Sequence, residues 1–170
     1  MKRIVLYILA ITAVSALTFT GLVIYSSQAE EPAKTAINAP VEQIPLNADT
    51  LFNLVNAERE KAGLKPLIRD TRLDATAQAR ADDMVARKYF SHNDPVTREN
   101  LVDILNGQKQ CASSSENIMR RDRVGDDNKD AIESWMNSVA HRNAILDPQY
   151  DVTGVAINDN IAVQHFCNLK

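Results

Sequence analysis

Ser115-Glu116-Asn117-Ile118 and Trp135-Met136-Asn137-Ser138-Val139-Ala140-His141-Arg142-Asn143-Ala144-Ile145-Leu146 are the stretches whose reading decides the fold. With Phe90-Ser91-His92 upstream, they set one carboxylate, Glu116, in chain order between two imidazoles, His92 and His141. The chain has 3 histidines, and two of them lie in these strings. Around them the spacing predicts a helix over residues 129–137, with Ile132, Trp135 and Met136 facing inward. One or two further turns follow over residues 141–146, and Asp147-Pro148 stops them, because the residue before proline disfavours the helical region. Residues 111–119 are polar until Ile118, which places Glu116 at the end of a strand or on its adjoining loop.

Upstream, Asn47 or Asp49 can cap a helix whose apolar residues are Leu51, Leu54, Val55 and Ala62, with Gly63 at its left-handed end. Asp70 caps a second helix with the stripe Leu73, Ala77, Ala81, Met84 and Val85, running to about Tyr89 and delivering His92 just beyond. Asp94-Pro95 interrupts regular structure, and a short helix is expected over residues 97–105. Downstream the period changes. Residues 152–157 and 161–167 are rich in β-branched side chains and flank Asn158-Asp159-Asn160, a hairpin with a three-residue turn. A third strand would have to come from about residues 110–114. Helices on a small antiparallel sheet make an α+β fold.

These strings, in this order, resemble the CAP superfamily (secreted domains of the SCP and pathogenesis-related type) in its bacterial form. The resemblance covers roughly residues 49–166 and implies an α-β-α sandwich in which His92, Glu116 and His141 share one cleft. It identifies a domain rather than a reaction. Many eukaryotic members carry a second glutamate three residues after the tryptophan. Here that position is Ser138, and Glu133 is on another side of the helix, so the second-glutamate role is not carried over. Gln164 matches a strand position that lines the cleft in family members.

Two neutral imidazoles and a carboxylate are a plausible ligand set for Zn²⁺ or another divalent cation with one open position. The same atoms could position a water as base and acid, or form a satisfied polar network that does not react. Asn117 and Ser138 are weak metal ligands and better hydrogen-bond partners. Trp135 reads as core, Ser91 as a local turn bond, and Arg142 as a surface or ion-pair residue. His165, by alternation, is on the face opposite Gln164 and Phe166, either toward solvent or packed on a helix.

Lys2 and Arg3 precede the uncharged run of residues 4–25, long enough to cross a bilayer. An uncleaved signal anchor over residues 1–25 is favoured over a long signal peptide cleaved near Ser27-Gln28-Ala29. Either way the rest of the chain is extracytoplasmic, on a single-pass membrane tether or secreted. Residues 26–48, with Pro32, Pro40 and Pro45, read as a flexible linker, and residues 49–170 as the one domain.

All 22 acidic residues lie at or beyond Glu30, against 17 basic ones there, a net charge of −5. With no basic cluster carrying interleaved aromatics, nucleic acid is a poor partner. Arg120-Arg121-Asp122-Arg123, offset by Asp126-Asp127, reads as a solvated loop. Cys111 and Cys167 are the only cysteines. In an oxidising compartment a disulfide is the default, and two separate thiols are the alternative. The functional expectation is a His/Glu cleft that binds a divalent cation, a small ligand or a cell-envelope component. A metal-dependent hydrolase of envelope peptides or peptidoglycan and a structural adhesion module are the alternatives.

Overall fold

Asn47 accepts from Thr50 N at 2.9 Å and starts α1, Ala48–Lys61, which buries Leu51 and Val55. Gly63, at φ 71°, ends that helix in the left-handed conformation. The computed structural model describes residues 43–100, 111–121 and 125–169. The expected N-terminal helix and most of the linker lie outside the described residues. The last part of that linker is docked: Ile44 N donates to Gly125 O at 3.1 Å, and Asp127 N to Ile44 O at 3.0 Å. No helix among the described residues is long and apolar enough to cross a membrane.

Next come β1, Ile68–Arg69, and α2, Thr71–Ala86, whose N-cap Asp70 accepts from Arg72 N. The small residues of its stripe, Ala77 and Ala81, let it lie close on the sheet. The helix stops at Ala86, short of Tyr89, because Lys88 adopts φ 56° and turns the chain. The helix expected from residue 97 does not begin there. Instead Asp94 Oδ1 accepts from Val96 N (2.6 Å) and Thr97 N (2.9 Å), and Asn93 bridges Asn100. An aspartate that satisfies two backbone amides of its own turn offers the chain an alternative to a helix. Residues 101–110 lie outside the described residues.

The strand β2, Ser113–Arg120, is longer than its polar sequence suggested, and Glu116 is inside it rather than at its end. Two helices, α3 (Asp127–Asn137) and α4 (Val139–Leu146), then meet at Ser138. The hairpin of β3, Val152–Asn158, and β4, Ile161–Asn168, turns on two residues rather than three, with Asp159 at φ 53°. The sheet order is β1-β3-β4-β2. β4 pairs antiparallel with β3 and β2, while β1 pairs parallel with β3, an addition to the antiparallel sheet expected.

Strand alternation splits the interior in two. Ala162 and Phe166 face α1, α3 and α4 with Trp135 and Ile145, whereas Ile161 and Val163 face α2 with Ala77, Ala81 and Met84. This is the expected α-β-α sandwich. Gly154 allows the closest approach, since a Cβ there would lie 2.1 Å from the Leu73 carbonyl carbon. Arg59, 1% exposed, donates to Lys65 O, Ile145 O and Asp147 O and so ties α1 to the end of α4.

Cys111 and Cys167 are disulfide-bonded, with Cα atoms 5.4 Å apart. Arg121 corrects the solvated-loop reading: it is 5% exposed and pairs with Asp127 (2.9 Å) and Asp130 (2.7 Å). A helix start rich in carboxylates draws the guanidinium inward. Residues 122–124 lie outside the described residues.

Candidate functional site

Glu116 lies on the α2 face of the edge strand β2 and is 7% exposed. An ionised carboxylate there needs donors, since burial without them is costly. His92 Nδ1 lies 2.8 Å from Oε1, and His165 Nε2 lies 3.1 Å from Oε2. Because a carboxylate only accepts, both nitrogens carry the proton. Arg80 Nε, from α2, sits 3.4 Å from Oε2 as the permanent cation. Burial alone would raise the Glu116 pKa. Hydrogen bonds from His165 and His92, with the Arg80 charge beside them, outweigh it and hold the value at about 2.

His165 is fully buried, and burial pushes its pKa below the ordinary value, with Arg80 adding to that and Glu116 opposing it. Arg80 already balances the Glu116 charge, so a second buried cation would be uncompensated. His165 therefore meets Glu116 as a neutral N–H donor, and its Nδ1 lies 3.0 Å from the Thr76 hydroxyl.

The segment carrying His92 is held by the end of α2. Arg80 donates to Tyr89 Oη at 2.6 Å and to the Ser91 carbonyl, and Arg87 pairs with Asp94. His92 remains 50% exposed at its side chain, with Nε2 on the far side of the ring from Glu116. From the other layer, the first turn of α4 presents His141, whose ring centroid is 6.1 Å from that of His92. Burial, and then the charge of His92, lower the His141 pKa. The cleft is thus two imidazoles, one from each helical layer, meeting past the edge strand.

The other expected residues support this cleft from elsewhere. Asn117, 1% exposed, points to the opposite face from Glu116 and donates from Nδ2 to His141 O at 3.2 Å. Gln164 is in register with Asn117, fully buried, and donates to Thr153 Oγ1 at 3.1 Å, so it lies on the sheet face opposite Glu116 and does not meet it. Ser138 is half-buried at the α3–α4 junction and makes no side-chain cap bond. Glu133 is exposed on a neighbouring groove of about 480 Å³, with Arg120, Ser134 and Asn137. Trp135 is core, its Nε1 donating to Ile118 O at 3.2 Å.

His165 and Arg80 are the residues sequence reasoning did not bring to the site. Both left a signal. Arg80 interrupts the buried stripe between Ala77 and Ala81, and an arginine there calls for a buried acid. A strand held by Cys167 and run antiparallel to the one after Cys111 puts His165 opposite Glu116.

Among the described residues, no group of three or more His, Cys, Asp or Glu is disposed to hold a metal ion. Each Glu116 oxygen already accepts from a histidine.

The cysteine-rich secretory protein (CAP) family matches residues 52–167. YkwD, an uncharacterized protein of Bacillus subtilis, is 31% identical over 125 residues, 74% of this chain and 47% of its own length. YlbC, an uncharacterized membrane protein of the same organism, is 32% identical over 119 residues, 68% of this chain and 33% of its own length. The chain thus spans less than half the length of these curated relatives. An extracellular SCP-domain protein of Bacillus anthracis superposes with a TM-score of 0.63 at 30% identity, covering 71% of this chain and 40% of that one. An outer surface protein of Borrelia burgdorferi has the same fold, with a TM-score of 0.62 at 19% identity over 72% of this chain and 92% of that one. The match over most of the folded domain settles the relationship: this chain belongs to the CAP, or cysteine-rich secretory protein, family.

Proposed function

We propose that this chain is an extracytoplasmic binding domain held at the cell envelope, and that the cleft between His92 and His141 takes a small polar ligand of that envelope. The observation that carries the reading is the division of labour around Glu116. Its two oxygens are occupied from within the protein, so it forms a rigid floor, while two imidazoles from separate layers face each other 6.1 Å apart. With its Nδ1–H spent on Glu116, His92 in its neutral form offers the cleft an acceptor at Nε2, which suits the O–H or N–H of a hydroxyl, amine or amide group. The uncharged run of residues 4–25 and the extracellular and membrane relatives support the location.

A divalent cation fits this cleft through the two imidazoles, with Glu116 orienting His92 from behind. When bound it would supply a Lewis acid. The metal-dependent hydrolase is the weaker reading, because three strong protein ligands do not converge. A scaffold or adhesion role explains the network but not the half-exposed His92 or the His141 Nδ1 that is buried with no hydrogen-bond partner among the described residues.

The test is titration of soluble peptidoglycan fragments into the full chain labelled at histidine nitrogen. The His92 and His141 ring signals should move, and His92→Ala/His141→Ala should abolish binding while keeping the fold. Equal binding by the double variant would overturn the reading.

A further inference from the structure

We infer that His165 is a lock on Glu116, a positioning residue that keeps this carboxylate out of the cleft and so makes the site select a hydrogen-bonding ligand over a tightly held divalent cation. The inference rests on the binding-cleft reading and says how that cleft chooses its ligand.

The geometry is specific. His165 donates from Nε2 to Glu116 Oε2 at 3.1 Å, and it is fully buried in β4 as the register partner of Glu116. Its other nitrogen meets Thr76 Oγ1 at 3.0 Å, so the ring is held at both ends. Arg80 stands on the same oxygen at 3.4 Å. The opposite oxygen, Oε1, takes His92 Nδ1. A cation on the exposed side of His92 would bind Nε2, across the ring from Glu116. For Glu116 to become a third ligand, its carboxylate would have to rotate and leave His165 Nε2–H buried without an acceptor. That loss carries the full desolvation cost of the donor. With His165 in place the carboxylate therefore orients a ligand instead of being one.

The sequence makes the lock separable from the fold. Leucine at position 165 would fill the buried position against α2 with an apolar side chain while removing the donor. Glutamine would keep one N–H within reach of Glu116. Thr76→Val would remove the hydroxyl at the far end of the ring and leave the imidazole itself.

The experiment is calorimetric titration of zinc chloride into the full chain and four variants. His165→Leu should bind Zn²⁺ about tenfold or more tightly than the wild type, the scale on which partners behind a metal site act. Adding Glu116→Gln to that variant should erase the gain, and His165→Gln should stay near wild type. No gain in His165→Leu, or a gain that survives Glu116→Gln, overturns the proposal. Should the leucine variant not fold, Thr76→Val decides, since it should show a smaller gain of the same origin. An unchanged affinity there ends the proposal. These outcomes are independent of whether peptidoglycan fragments bind, so failure of the lock and failure of the cleft's proposed ligand are told apart.

Discussion

Glu116 and His165 face each other across β2 and β4 as register partners, with Nε2 of the imidazole 3.1 Å from Oε2 of the carboxylate. Both sit in the interior between the sheet and α2, next to Arg80, and the stability of the domain is coupled to the chemistry of the cleft there.

Glu116→Ala removes the acceptor of two histidines and strands the Arg80 charge in an interior position. Loss of one partner of a buried pair costs about 3 to 5 kcal/mol. His92→Ala removes a donor whose side chain is half exposed, and should cost about 1 kcal/mol or less. Urea unfolding of the two variants measures the contrast. Equal costs would mean that the buried half of the network contributes nothing special.

Acid should weaken the fold in two stages. His165 and His141 both have folded pKa values below their ordinary 6.5, so the unfolded chain binds more protons as pH falls past that value. Their stabilisation is fully present above about pH 6.5 and declines below it. Glu116, held at about 2 against an ordinary 4.5, stabilises above 4.5 and loses that contribution as pH falls toward 2. Urea midpoints should therefore be lower at about pH 5.5 than at about pH 7.5, and His165→Gln should flatten that difference. A midpoint that rises on acidification would contradict the assignment of neutral buried imidazoles.

Much of this fold is legible in the sequence because its helices advertise one face. The stripe of Leu73, Ala77, Ala81 and Met84 and the hairpin around Asp159 follow directly from periodicity. The strand β2 is harder to see. As an edge strand it carries Ser113, Ser114 and Ser115, and its pattern reads as loop until Ile118. The strand β1 has two residues, and pairing with β3 far along the chain is what makes it a strand. The site divides in the same way. His92, Glu116 and His141 stand out as residue types in order, whereas Arg80 and His165 belong to the site through strand register and helix docking, which are tertiary properties.

Gly154→Ala tests how tightly α2 sits on β3. The added Cβ would lie 2.1 Å from Leu73 C and 2.2 Å from Asp74 N, both backbone atoms in the first turn of α2. Neither can swing aside as a side chain would, so the helix must shift. It would drag Asp74, whose Oδ1 accepts from Val155 N at 2.8 Å. A cost of about 3 kcal/mol or more is expected from overpacking with lost hydrogen bonding. Thermal unfolding measures it, and a loss below about 1 kcal/mol would show that the helix docks loosely.

Reduction of Cys111–Cys167 should reach the cleft as well as the fold. The bridge spans 56 residues of sequence, and a closed loop of that size stabilises by about 4 kcal/mol on chain-entropy grounds. Its buried surroundings, Leu73 and Val152, tie α2 and β3 to the same point. The bridge also anchors the start of β2 three residues before Ser114, which is in register with Cys167, so the strand that presents Glu116 is pinned at one end. Cys111→Ser/Cys167→Ser should unfold at markedly lower urea. Hydrogen exchange in the variant should speed up at Ser113 to Ser115 more than at Ala156 to Asn158, where the β3–β4 hairpin closes on its own turn. Uniform acceleration along the sheet would show instead that the bridge stabilises the domain only as a whole.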